Sequence, residues 1–229
     1  MNRVLSRELA AHVGERVEVM GWLHQLRRLG GINFLIVRDR AGMTQVVLED
    51  TRALANALPE SVLCVEGRVV AEPQAPSGYE LHDAQVEVLV AVNEALPFPI
   101  NKPVLNVSLD TFLDHAIIGL RHPQRRALFR LAAGVMAGFR ATLTELGFTE
   151  IQTPKLVSAA TEGGANVFRV DYFGRPAYLA QSPQFYKQMM VTVFERVFEV
   201  GPVFRAEPHD TTRHINEYVS LDVEMGFIH

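Results

Sequence analysis

The stretch from Phe198 to His229, FEVGPVFRAEPHDTTRHINEYVSLDVEMGFIH, constrains the chain more than any other. From Tyr218 its residues alternate strictly. Tyr218, Ser220, Asp222 and Glu224 fall on one side of an extended chain, and Val219, Leu221, Val223 and Met225 on the other. The segment predicts a strand with one apolar and one chemical face. Val203 to Glu207 reads as its partner, and Pro208 to Asn216 is a polar connection too long for a tight turn. Antiparallel pairing would bring Arg205 and Glu207 onto the surface that carries Tyr218, Asp222 and Glu224, with Arg213 and His214 on the loop above. A guanidinium that grips phosphate through two donors, a ring that stacks on a base, and loop cations for outer phosphates all suit a nucleotide. A solvated strand face with ordinary cross-strand ion pairs would use the same residue types.

Phe204-Arg205-x-Glu207, a polar loop, Arg213-His214-x-Asn216-Glu217-Tyr218 and then Asp222-x-Glu224 together form a series that resembles the second signature motif of class II aminoacyl-tRNA synthetases. The form is that of aspartyl-tRNA synthetases of the archaeal type. The resemblance implies a catalytic domain built on a mostly antiparallel sheet with helices, using ATP as substrate together with Mg2+.

Net charge is -4, which excludes a protein that coats nucleic acid by bulk charge, so any RNA contact must use local patches. Cys64 is the single cysteine, so no internal disulfide or cysteine zinc cluster is available, and its apolar surroundings predict a buried thiol. No apolar run has the length of a membrane span or the layout of a signal peptide, which gives the expectation of a cytoplasmic protein.

From Arg16 to about Asn93 five short β-rich runs are predicted: Val17 to Leu23, Asn33 to Arg38, Thr44 to Leu48, Ser61 to Val70 and Gln85 to Val92. Turn signals separate them, and a short helix is expected over Thr51 to Leu58. Five strands with a helix after the third is the layout of an OB-fold barrel, although spacing alone leaves other small barrels open. Gly21-Trp22-Leu23-His24, Leu29-Gly30-Gly31-x-x-Phe34 and Arg38-Asp39-Arg40-x-Gly42-x-x-Gln45 resemble the anticodon-binding barrel of aspartyl-, asparaginyl- and lysyl-tRNA synthetases. The resemblance assigns His24, Arg28, Phe34, Gln45 and Pro76 to the tRNA anticodon, with Phe34 stacking on a base and Gln45 bonding a base edge. Unpaired loop bases offer both ring faces and free edges. His24 and Pro76 also match the members that charge both tRNA-Asp and tRNA-Asn, the non-discriminating type.

Pro97, Pro99 and Pro103 mark a stiff connector. The expected organisation is a barrel over 1–97, a linker over 98–120 and a catalytic domain over 121–229. Leu128, Leu131, Val135, Phe139, Leu143 and Leu146 recur at intervals of three and four, a helical stripe with Pro123 in its first turn and Gly147 at its cap. This helix, Gly147-Phe-x-Glu-Ile and Thr153-Pro154 are similar to the first class II motif, which in that family forms the homodimer interface. Thr161-Glu162-Gly163-Gly164 is similar to a loop that closes over the amino acid. Ser182 and Pro183 predict a helix start, and Gln184 and Lys187 share a face on its first turn. The run Gln181-Ser-Pro-Gln-x-x-Lys187 resembles aspartyl-tRNA synthetases, where the lysine pairs with the side-chain carboxylate of the substrate.

The resemblance implies aspartate-tRNA ligase activity. It further implies Arg205 as the catalytic residue, Arg205, Glu207, Arg213, His214 and Tyr218 as ATP-binding residues, and Glu162, Ser182, Gln184, Lys187 and Asp222 as aspartate-binding residues. No metal ligand is assigned, because the third class II motif and the acidic residues that usually hold magnesium lie outside these 229 residues. The expectation is a longer enzyme truncated before that motif. A non-catalytic tRNA-binding or RNA-binding fragment, and an asparaginyl-tRNA synthetase, are the alternatives.

Overall fold

The computed structural model describes residues 3–159, 167–209, 211 and 214–228. The chain divides into two compact units, Met1–Arg126 and Ala127–His229.

In the first unit β1 (Arg16–Leu29), β2 (Ile32–Arg38), β3 (Met43–Leu48), β4 (Val62–Ala71) and β5 (Tyr79–Val90) close into a barrel in the order β1-β2-β3-β5-β4. All neighbours are antiparallel except β3 and β5, which meet in parallel at Gln45↔Glu80 and Val46↔Leu81. This is the predicted OB-fold. Val19, Leu35, Val37, Val46, Leu63 and Val65 fill its interior with no exposed surface, each such side chain contributing about 1.5–3 kcal/mol of transfer free energy. Cys64 is buried and unpaired, and burial pushes its thiol pKa up.

Three elements differ from the sequence reading. β1 continues to Leu29 and turns into β2 through Gly30 and Gly31, whose φ values of +53° and +106° require glycine. The helix expected over Thr51 to Leu58 is reduced to a 3-10 turn, Arg52–Leu54. β5 starts at Tyr79 rather than Gln85, because a bulge opposite Glu66 and Arg68 and a left-handed Asp83 (φ 51°) break the alternation that would reveal it.

The first unit runs past residue 97, because the connector packs down: Phe98, Ile100 and His122 are buried. Two short helices follow, α1 (Leu109–Asp114), capped by Ser108, and α2 (Ala116–Gly119). The long helix α3 (Pro123–Glu145) begins in the first unit and continues into the second, and Gly147 beyond its end has φ +82°.

The second unit holds two three-stranded sheets. In one, β10 (Arg196–Phe204) pairs in parallel with β6 (Thr149–Glu150) and antiparallel with β11 (Glu217–Met225). In the other, β9 (Arg175–Leu179) lies between β7 (Leu156–Val157) and β8 (Arg169–Tyr172). Helix α4 (Gln184–Phe194) leads into β10. The partner strand of β11 therefore starts earlier than predicted and ends before Arg205. Pro202 is tolerated within β10 because it sits beyond the β6 pairing.

The sidedness of this sheet is unusual. The apolar residues Val219, Leu221, Val223 and Met225 are 37–54% exposed. The polar set Tyr218, Ser220, Asp222 and Glu224 is the half-buried one. The predicted stripe of α3 is likewise open. No residue of that helix is buried, although Phe139 packs edge-on against Phe198 at 5.8 Å. Among the described residues no helix is long and apolar enough to cross a membrane.

Candidate functional site

The antiparallel register places Val203, Gly201, Glu199 and Val197 opposite Tyr218, Ser220, Asp222 and Glu224, so these eight residues share one face. Helix α4 covers its far end. Lys187 is 4% exposed. Its Nζ donates to Asp222 Oδ1 at 3.0 Å and lies 3.6 Å from Glu224 Oε2. Gln184 Nε2 donates to the same Glu224 oxygen at 3.3 Å, as expected for two residues on one helical turn. Ser182 Oγ accepts from the Gln184 amide at 3.2 Å. Pro183 occupies the N-cap, so the helix starts one residue later than the sequence suggests.

Glu199 was not anticipated. It is 1% exposed, accepts from Thr153 N (3.0 Å) and Thr153 Oγ1 (2.8 Å), and pairs with Lys155 Nζ at 2.9 Å. It stands directly opposite Asp222. Like charges opposed across a ladder repel, and here each has its own lysine from a different element. The available signal was a lone glutamate inside the apolar run VFEVGPVF. Counted as ionised, Glu199, Asp222 and Glu224 face two ammonium groups, Lys155 and Lys187, which leaves this end of the face one negative charge in excess.

At the other end of the face the Arg205 guanidinium carbon lies 5.8 Å from the Tyr218 ring centroid. Arg205 Nε is buried and has no hydrogen-bond partner among the described residues. The Arg205 amide donates to Asn216 O at 2.9 Å, and the chain then folds back, with Glu207 N donating to Asn216 Oδ1 at 3.2 Å. Arg205 and Glu207 therefore lie on the connection just past β10, and Arg205 still reaches Tyr218. His214 is exposed, its Nδ1 2.7 Å from Thr211 Oγ1. Tyr218 and Asp222 are four residues apart on one strand, roughly 13 Å. Glu162 and Arg213 lie outside the described residues.

On the barrel, Leu35, Val37 and Val46 point inward, so Phe34 and Gln45 occupy the outer face. Gln45 Nε2 donates to Glu80 Oε2 at 2.8 Å, and Glu80 Oε1 lies 2.6 Å from His82 Nε2. The amide is thereby oriented with its carbonyl oxygen left without a partner among the described residues. Arg28 sits opposite Asn33, off the row of Phe34. Arg27 pairs across from Phe34 and shares its face. A bulge between Leu23 and Gln25 shifts the parity of β1, and no sequence signal marks it.

His24 and Pro76 line one cavity of about 450 Å³, together with Gln25, Arg27 and Met43. His24 is 6% exposed, its Nδ1 has no hydrogen-bond partner among the described residues, and its pKa is lowered from 6.5 to about 4, first by burial and then by Arg38. The imidazole is neutral at pH 7. A depressed folded-state pKa means that the unfolded chain takes up the proton first. His24 therefore contributes stability that is complete above pH 6.5 and is lost as pH falls toward about 4. The melting temperature of His24→Gln should fall less steeply than that of the wild type between these values, and parallel curves would contradict the assignment.

Residues 108–229 match the family model of class II tRNA synthetases (D, K and N). The chain belongs to this family. Residues 17–89 match the OB-fold nucleic acid binding domain. The chain is 52% identical over 228 residues to an aspartate--tRNA(Asp/Asn) ligase of Deinococcus radiodurans, covering 100% of this chain and 52% of that protein. It is 53% identical over 226 residues to one of Thermus thermophilus, covering 99% and 53%. It thus spans about half the length of the curated relatives it matches. Among solved structures, asparaginyl-tRNA synthetase of Pyrococcus horikoshii complexed with asparaginyl-adenylate superposes with a TM-score of 0.90 at 32% identity, covering 100% of this chain and 54% of that one. Aspartyl tRNA synthetase of Entamoeba histolytica gives 0.77 at 28% identity, covering 100% and 51%.

In this class II synthetase chain no group of three or more His, Cys, Asp or Glu among the described residues is placed to hold a metal ion. The described residues do not make a magnesium site. What the β10–β11 face offers is an anion grip at Arg205, a stacking ring, and a sheltered pocket of alternating charge at Lys187.

Proposed function

We propose that this chain is the part of an aspartate-tRNA ligase that recognises the tRNA anticodon with its barrel and binds ATP and aspartate on the β10–β11 face. Lys187 carries the reading. It is a buried ammonium that donates to Asp222 at 3.0 Å and has Glu224 as a second ion-pair neighbour at 3.6 Å, which leaves capacity for a further acceptor. An aspartate side chain supplies that acceptor with its charge. The asparagine amide offers a weaker, uncharged acceptor, and its NH2 end finds no acceptor on an ammonium, so the site discriminates by the bond it forms with a carboxylate.

The remaining roles follow from position. The excess negative charge beside Lys187 suits the substrate ammonium, surrounded by Asp222, Gln184 and Ser182, and Glu162 is assigned to the same role. Arg205 presents its unmet Nε to the α-phosphate as charge develops during in-line attack by the substrate carboxylate. Tyr218 stacks on adenine, Glu207 lies near the base or the tRNA acceptor end, and His214 with Arg213 holds the outer phosphates. On the barrel, Phe34 stacks on an anticodon base and the free carbonyl of Gln45 accepts from a base edge, with Arg28 nearby for the backbone. His24 and Pro76, and relatives named for both tRNA-Asp and tRNA-Asn, support charging of both tRNAs. The open apolar stripe of α3 and the apolar side of β11 support a homodimer surface. The setting is cytoplasmic.

The asparaginyl alternative draws on the superposition with the asparaginyl-adenylate complex, and Lys187 opposes it. Transfer of labelled aspartate and asparagine to purified tRNA-Asp and tRNA-Asn decides the matter. Aspartate is expected on both tRNAs and asparagine on neither. Asparagine transfer, or tRNA binding without pyrophosphate release, overturns the proposal.

A further inference from the structure

The cavity that holds His24 and Pro76 has a second wall, and that wall is not part of the barrel. Asn101, Lys102 and Pro103 of the connector, outside both family matches, and His122 beyond them line it from the other side. What holds this wall is a buried carboxylate. Glu60, 3% exposed, accepts from Arg38 Nη1 and Nη2 at 2.7 and 2.8 Å on the barrel side and from Arg121 Nη1 at 2.9 Å on the connector side. Next to Arg121, His122 accepts from Gln124 N through Nδ1 at 3.3 Å and donates through Nε2 to the Lys102 carbonyl at 2.9 Å. One carboxylate thus ties Arg121 to the barrel, and the adjacent residue ties down Lys102.

This clamp is a costly way to attach a connector. Well-packed apolar side chains would serve stability as well as the buried Arg38–Glu60 pair, to which the partly exposed Arg121 is joined, does. Glu60 also sits at φ +75°, a left-handed conformation unfavourable for a residue with a Cβ. The walls it fixes carry mixed chemistry: amides at Gln25 and Asn101, exposed cations at Arg27 and Lys102, and apolar surface at Met43 and the prolines. Amides read base edges, cations meet phosphates, and apolar side chains pack on ring faces.

We propose that the connector wall is half of the anticodon site, that an unpaired nucleotide of the anticodon loop seats between His24 and Pro76 on one side and Asn101 and Lys102 on the other, and that Arg121 acts through Glu60 as a positioning residue for it. The inference rests on the tRNA reading of the barrel. It moves part of the anticodon specificity out of the OB-fold and into the segment that follows it.

The test uses the 229-residue chain and three labelled anticodon stem-loop RNAs, with loop sequence GUC, GUU or scrambled, in anisotropy titrations at several salt concentrations. Arg121→Met should weaken binding of the GUC loop about tenfold while leaving the scrambled loop unchanged, and Arg121→Lys should restore most of the discrimination. Lys102→Met should weaken all three loops alike and reduce the slope of log K against log salt by about one. An unchanged discrimination ratio in folded Arg121→Met, or an unchanged salt slope in Lys102→Met, refutes the proposal. Should Arg121→Met fail to fold, the exposed Lys102 decides alone. If the wild-type chain does not distinguish GUC from the scrambled loop, the tRNA reading fails with it, whereas wild-type discrimination that the variants leave intact removes only the connector wall.

Discussion

Lys187→Ala is expected to abolish aspartate-dependent pyrophosphate exchange in the active ligase, lowering kcat/KM by roughly 10³-fold or more. Two effects act together. The substrate carboxylate loses the ammonium that its charge requires. Asp222 and Glu224, now without a counter-ion on a half-buried face, repel the same carboxylate. Removing one partner of a buried pair also costs about 3–5 kcal/mol of stability. Melting should therefore be recorded beside kinetics, and the assay run well below the midpoint. Lys187→Met separates the contributions, since it keeps the packing of the stem and removes only the charge. Near-normal exchange in a folded Lys187 variant removes the basis for aspartate as substrate.

Arg205→Ala should reduce adenylate formation by about 10²–10³-fold through kcat, with little change in aspartate affinity. The guanidinium lies over the Tyr218 ring with a buried Nε that nothing in the described protein satisfies, so its substitution leaves no broken internal salt bridge. The loss should appear in turnover rather than in melting temperature. Lysine at this position restores charge but neither the planar stack nor the paired donors, and Arg205→Lys should recover only a small part of the activity. A single-turnover measurement with ATP and aspartate checks this. A kcat within a few-fold of wild type would leave the phosphate role without support.

The strand that carries the site was legible because its alternation from Tyr218 is strict. The face that would be covered was not legible. Hydropathy separates two faces, but shelter comes from what packs on them, and α4 brings Lys187 and Gln184 to the polar one. Glu199 escaped notice because its partners Thr153 and Lys155 lie in the connection between β6 and β7, more than forty residues away and beyond the reach of any local pattern. On the barrel, the number of strands was readable from turn signals and their topology only from the family resemblance, while two bulges, at Leu23/Gln25 and Glu66/Arg68, hid the parity that separates Arg27 from Arg28 and the true start of β5. Local rules carry through a regular ladder and fail where one strand gains a residue over its neighbour.

The closure of the barrel has a consequence for synthesis of the chain. β1, β2 and β3 form consecutive hairpins that can pair as they leave the ribosome, but β1 meets β4, and β3 meets β5, only across long intervening sequence. Until Tyr79–Val90 has emerged, the nascent meander carries two unpaired edges, an adhesive intermediate that chaperones would have to shield.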